Sequence, residues 1–146
     1  MPPWASWMKI EDYFYTDQTY LRKMCVEYVQ PVPFEQVIDW MSKARFNPVL
    51  LRSLFGHLRI VTPRLFETVA ADTIPLLVLD PLHVQEIYGE QGLDLILPEE
   101  SPQEKILDIV RHPERYHDVM MGIRLHMAEK HSHAARLRRL IEIIET

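Results

Sequence analysis

Thr62-Pro63-Arg64-Leu65-Phe66-Glu67-Thr68-Val69-Ala70-Ala71-Asp72-Thr73-Ile74-Pro75-Leu76-Leu77-Val78-Leu79 reads as a helix, a turn and a strand in succession. Threonine before proline is a helix-start signal, because the hydroxyl can cap an unpaired amide and proline, lacking an N–H, suits the first turn. Leu65, Phe66, Val69 and Ala70 recur at helical spacing and supply a buried stripe. Ala71-Asp72-Thr73 stops the helix, Asp72 being of a type that tolerates the left-handed backbone of a helix exit. Ile74 to Leu79 is then apolar without alternation, which predicts a strand buried on both faces in a parallel sheet. Pro75 belongs at its start, where no ladder donor is missed.

Upstream, Val26 to Val32 alternates and is β-branched enough to read as a strand. Phe34, Val37, Ile38 and Met41 form the stripe of a helix ending near Lys43, and Ala44 to Leu51 is a short strand or the loop leaving one. Downstream of Asp80-Pro81, a short helix over Val84 to Tyr88 is closed by Gly89, and Leu93 to Leu97 reads as another strand. Ser101-Pro102-Gln103-Glu104 is a capping box, and His112-Pro113 breaks the helix it opens. Tyr116, Val119, Met120, Ile123 and Met127 give the stripe of the next helix. Ala134, Leu137, Leu140, Ile141 and Ile144 give that of a last one, started by Ser132. Strand, helix, strand at this spacing is a crossover unit. The fold class expected is α/β: a Rossmann-like, doubly wound parallel sheet of three to four strands with a C-terminal helical tail. Residues 1–25 form a separate aromatic-rich segment with Trp4, Trp7, Tyr13, Phe14, Tyr15 and Tyr20, helical over Thr19 to Met24, and residues 26–146 form the domain proper.

The chain's 146 residues, 47% hydrophobic and 25% charged, fit one globular domain large enough to bury a core without staples. The single Cys25 excludes an intramolecular disulfide, points to a reducing compartment and reads as a buried structural thiol. A net charge of -5 argues against a general nucleic-acid binder. No run approaches the 18 or so apolar residues of a membrane span, so a cytoplasmic protein is expected. Charge is segregated: acids dominate residues 80 to 108, whereas from 111 onward arginines prevail and five of the seven histidines gather. Such segregation suits either an anionic ligand or the solvated faces of helices.

Several chemistries lack their signatures. The chain has no Gly-x-Ser-x-Gly, no Walker loop and no Gly-x-Gly-x-x-Gly. None of His112, His117, His126, His131 and His133 is paired at i, i+4, so a metal site is not expected. The start of the Thr62 helix faces the carboxyl ends of parallel strands, where α/β folds place ligands. There the Arg64 and Leu65 amides and the Arg64 guanidinium could receive a phosphate, and Glu67, one turn on, could accept hydrogen bonds from the paired hydroxyls of a ribose. Arg64 and Glu67 are equally readable as an i, i+3 ion pair on an exposed helix.

Arg64-Leu65-Phe66-Glu67 followed by Ala70-Ala71-Asp72-Thr73-Ile74-Pro75 resembles the nucleotide-sugar motif in the C-terminal domain of GT-B fold glycosyltransferases, in the group 1 and spore-maturation-like branch. Met41 to Phe46, Glu86-Ile87-Tyr88-Gly89, Pro113-Glu114-x-Tyr116 and His131-Ser132-His133-x-x-Arg136-Leu137 fit the same branch in order and spacing, over roughly residues 26 to 146. The resemblance implies that Glu67 binds the donor ribose, with Thr62, Pro63, Arg64 and Leu65 beside the diphosphate. It implies a nucleotide-diphosphate sugar as donor, no metal or other cofactor, and an acceptor hydroxyl activated by an N-terminal domain or partner chain that these residues do not include. The isolated chain would then bind donor but transfer little. In that branch a second acid precedes the glutamate by eight residues; Arg59 stands there, so sugar recognition does not carry over. A catalytically inactive remnant acting as an interaction module, and possible homo-oligomerisation, is the alternative, supported by the aromatic first segment.

Overall fold

The computed structural model describes residues 18–27, 32–51 and 53–145. It divides into two compact units, Met1–Pro33 and Phe34–Thr146. In the first, α1 (Gln18–Lys23) forms where a helix was expected. Cys25, which follows, is exposed and left-handed (φ 56°), its amide bonded to the Arg22 carbonyl at 3.0 Å. The buried thiol expected there is thus corrected: Cys25 turns the chain out of α1, and a turn residue has no core to enter. Of the strand expected over 26–32, Val26, Glu27 and Val32 are irregular, and residues 28–31 lie outside the described residues, as do Trp4 to Tyr15.

The second unit is mixed α/β and mostly helical. A 3-10 turn (Phe34–Gln36) leads into α2 (Val37–Met41), followed by β1 (Phe46–Leu50), α3 (Ser53–His57), α4 (Arg64–Ala70), β2 (Ile74–Val78) and α5 (Pro81–Tyr88). A second 3-10 segment (Glu90–Leu95) and three helices complete it: α6 (Pro102–Arg111), α7 (Pro113–His131) and α8 (His133–Ile144). β1 and β2 pair in parallel, from Phe46 opposite Ile74 to Leu50 opposite Val78.

Two prolines account for the narrowness of this sheet among the described residues. The Ile74 amide donates to the Arg45 carbonyl at 3.1 Å. Backbone groups of alternate residues point to opposite sides of a strand, so Ile74, Leu76 and Val78 address β1, while Pro75 and Leu77 address the far side. By the same alternation Asn47 and Val49 address β2 and Pro48 faces outward. Each strand therefore carries, on its outer edge, one position with no donor. Beyond β2 only a fragment adds: the Leu97 amide reaches the Leu77 carbonyl at 2.8 Å, and Ile96 bridges Leu77. The strand expected over Leu93 to Leu97 is corrected to this single bridge. Gly92 lies so close to α5 that a Cβ there would sit 2.4 Å from Tyr88 Cβ, which lets residues 90–95 coil tightly against that helix instead of extending.

The core gathers Val49, Leu65, Leu77, Val84, Ile87, Tyr88 and Leu95 with Ile109, Tyr116 and Ile123 of α6 and α7. At the amino ends of the strands, Asn47 Nδ2 donates to Thr73 Oγ1 (2.8 Å) and to the Met41 carbonyl (3.2 Å), tying α2, β1 and the α4–β2 turn together. Asp72 in that turn is left-handed (φ 58°), as its type predicts, and Arg124 of α7 pairs with its carboxylate. The break at His112-Pro113 separates α6 from α7 as expected. Across it, buried Tyr116 donates its hydroxyl to Asp108 (2.6 Å) and accepts from Lys105 (2.8 Å). Burial pushes the Tyr116 phenol up to about 12, and its hydrogen bond holds Asp108 below the usual carboxylate range. Ser101 makes no side-chain cap, so the box expected there is open, whereas Ser132 does cap α8 through the Ala135 amide at 3.2 Å. Among the described residues no helix is long and apolar enough to cross a membrane.

Candidate functional site

α4 lies between the parallel strands β1 and β2 in the chain, as a crossover requires. Pro63, with helical φ and ψ, occupies the cap position and no side chain caps the helix. Thr62 is not the cap that its sequence suggests: its Oγ1 is buried without a partner. Its carbonyl accepts the Leu65 amide at 3.1 Å, and the Pro63 carbonyl accepts those of Phe66 (2.9 Å) and Glu67 (3.0 Å). The Leu65 amide is therefore not free for a phosphate, and Leu65 itself is fully buried as a core residue. Of the groups expected to receive a phosphate at the helix start, the Leu65 amide is thus taken up by the helix itself.

Arg64 and Glu67 do meet. Arg64 Nη1 lies 3.7 Å from Glu67 Oε2, and the Glu67 side chain is 17% exposed against 49% for Arg64. The same guanidinium nitrogen approaches Met41 Sδ at 3.0 Å, which holds it over α2. The pair expected from i, i+3 spacing is thus present, and it leaves a largely buried carboxylate oriented by an arginine. A partly desolvated carboxylate accepts hydroxyl hydrogens strongly, because less water competes for its oxygens.

A cavity of about 920 Å3 opens at the carboxyl ends of β1 and β2, floored by Val78, Leu79 and Ile96 and rimmed by Arg59, Asp80 and Glu99. None of Thr62, Pro63, Arg64, Leu65 and Glu67 lines it. Arg59, where the resembled family has an acid, does. Its backbone is left-handed (φ 48°), and its guanidinium lies 3.5 Å from Asp80 Oδ1. Asp80 in turn caps α5, its Oδ1 accepting the Leu82 and His83 amides at 3.1 Å each. The α5 helix start is thereby filled by the chain's own carboxylate, which Arg59 neutralises. Asp80-Pro81 was the sequence signal for this cap, an acid followed by proline at the first helical position.

His83 escaped the sequence reading. It is 1% exposed, and both ring nitrogens lack partners. Burial lowers its pKa, reinforced by Arg59 and opposed by Glu86 and Asp80. Below about pH 6.5 the unfolded chain takes up a proton that the folded ring refuses, so stability is expected to fall as pH drops from there toward the depressed folded value. Urea midpoints at about pH 7.5 and about pH 5.5 should show this loss, and His83→Leu should reduce it. An equal slope in the variant would assign the effect to other groups.

Among the described residues no three or more His, Cys, Asp or Glu side chains are grouped so that they could hold a metal ion. His126 and His131 instead both direct Nε2 to the Glu86 carbonyl, at 3.3 and 3.1 Å, closing the last turn of α5. The chain matches no protein-family model, no curated protein and no solved structure.

Proposed function

We propose that the chain is the donor-binding half of a GT-B type glycosyltransferase, holding a nucleotide-diphosphate sugar at the carboxyl edge of its sheet. The observation that carries the reading is the shielded carboxylate of Glu67, paired with Arg64 in the first turn of α4. In this reading Glu67 accepts the ribose hydroxyls, and Arg59, on the rim of the cavity at the carboxyl ends of the strands, exchanges Asp80 for the diphosphate. As the leaving group departs, a fixed cation of this kind offsets its growing negative charge. Glycosyl transfer itself then needs an acceptor and a base from a second domain or partner chain. The full Rossmann-like architecture of three to four strands belongs to the same reading, with Ile96 and Leu97 beside Leu77 as the place where a third strand would add.

Calorimetric titration with UDP, GDP and TDP tests it. Saturable binding of one of them in the micromolar to millimolar range is expected, and no heat at millimolar ligand overturns the reading.

A further inference from the structure

α8 carries Leu137, Leu140, Ile141 and Ile144 at i, i+3, i+4 and i+7, and these are 58, 52, 46 and 73% exposed. None of its 12 residues is buried. A helix this short is marginal in water unless its apolar face packs on something. Against its own domain it makes slight contact, chiefly Arg136 over the Phe66 ring at 5.0 Å. Its charges also oppose its dipole: no acid lies in the first turn and no base in the last, while Arg136, Arg138 and Arg139 precede Glu142 and Glu145. Arg139 is satisfied by Glu142 at 3.1 Å. Arg138 and Glu145 have no partner among the described residues, and two turns of helix place both on one flank of the apolar stripe.

We propose that this stripe is a self-association surface on which α8 of a second copy lies antiparallel about a two-fold axis near Ile141. Reversed direction sets Arg138 opposite the partner's Glu145, and symmetry repeats the pair, so the unfavourable order of charges along one helix becomes complementary across two. A parallel arrangement would oppose like charges. The stripe is small for an interface, so the dimer should be weak. An anionic membrane is a poorer match, because Glu145 borders the same flank of the stripe as Arg138.

Sedimentation velocity of the full chain from micromolar to millimolar tests this. A monomer–dimer equilibrium is expected, abolished by Ile141→Glu with the circular dichroism spectrum unchanged. Arg138→Glu and Glu145→Arg should each weaken it by about tenfold, as two exposed attractive pairs become repulsive. An equimolar mixture of those two variants should associate at least as tightly as the original chain, because one then presents two acids to two arginines. A chain monomeric throughout, a dimer indifferent to Ile141→Glu, or a mixture no tighter than its components overturns the proposal. So does Ile141-dependent binding to phosphatidylserine vesicles without self-association.

Discussion

Tyr88→Ala is expected to lower folding stability by about 3–5 kcal/mol, measured by urea or guanidinium denaturation. That is a large share of the roughly 5–15 kcal/mol that a domain has. Tyr88 is fully buried in the core, and its hydroxyl donates to the Leu65 carbonyl at 2.8 Å, joining α5 to α4. Truncation leaves a ring-sized cavity between two helices that the β-strands already hold in place, so the site cannot easily collapse. Tyr88→Phe separates the two contributions. It keeps the ring and removes one hydrogen bond, for about 0.5–1.5 kcal/mol. The same burial pushes the phenol well above its ordinary value. A phenol raised in the folded state contributes stability below about pH 10 that is lost as pH rises further, because the unfolded chain ionises first. Tyr88→Phe should flatten part of that alkaline loss. An alanine variant losing less than 1 kcal/mol or so would show that α5 does not pack as described.

Glu67→Ala is expected to weaken whichever nucleotide diphosphate binds by about 1.5–3 kcal/mol, or roughly tenfold to a hundredfold, since it removes a charged acceptor. Stability should change little, because a pair with one half-exposed partner contributes at most a few tenths of a kcal/mol. Glu67→Gln, which keeps the shape and one acceptor, should fall between. Arg64→Ala tests orientation: if Arg64 serves to aim Glu67, its loss weakens binding only while Glu67 is present, a non-additivity that a double-variant cycle reads directly. Nucleotide binding indifferent to Glu67→Ala would remove Glu67 from the site while leaving nucleotide binding intact.

Legibility from sequence follows where local and tertiary forces agree. α4, its exit at Asp72, β2, and the proline break between α6 and α7 were all readable, because prolines, turn residues and periodicity there point the same way as the packing. Leu93 to Leu97 misled because an apolar run of five fits a strand and a coil against a helix equally well, and only the close approach of Gly92 to Tyr88 decides between them. Thr62 has the residue type of a cap but not the geometry, since Pro63 is already helical. The α8 stripe was readable as helical, yet periodicity says which residues share a face and nothing about what that face meets. The ion pair of Arg64 and Glu67 was legible through its spacing. His83 was not, because an isolated histidine among apolar residues carries no pattern, and its orphaned nitrogens exist only once α5 is packed.

The outward-facing Pro48 and Pro75 have a consequence for behaviour at high concentration. An exposed strand edge is a template onto which another chain can hydrogen-bond, the first step of ordered aggregation. The β1 edge has a gap in its row of donors at Pro48, and the far side of β2 is already taken by Leu97 on the Leu77 carbonyl, so an incoming strand would find neither edge fully open. Crowding should therefore drive copies together through helical surfaces, which separate again on dilution, rather than through sheet extension, which does not.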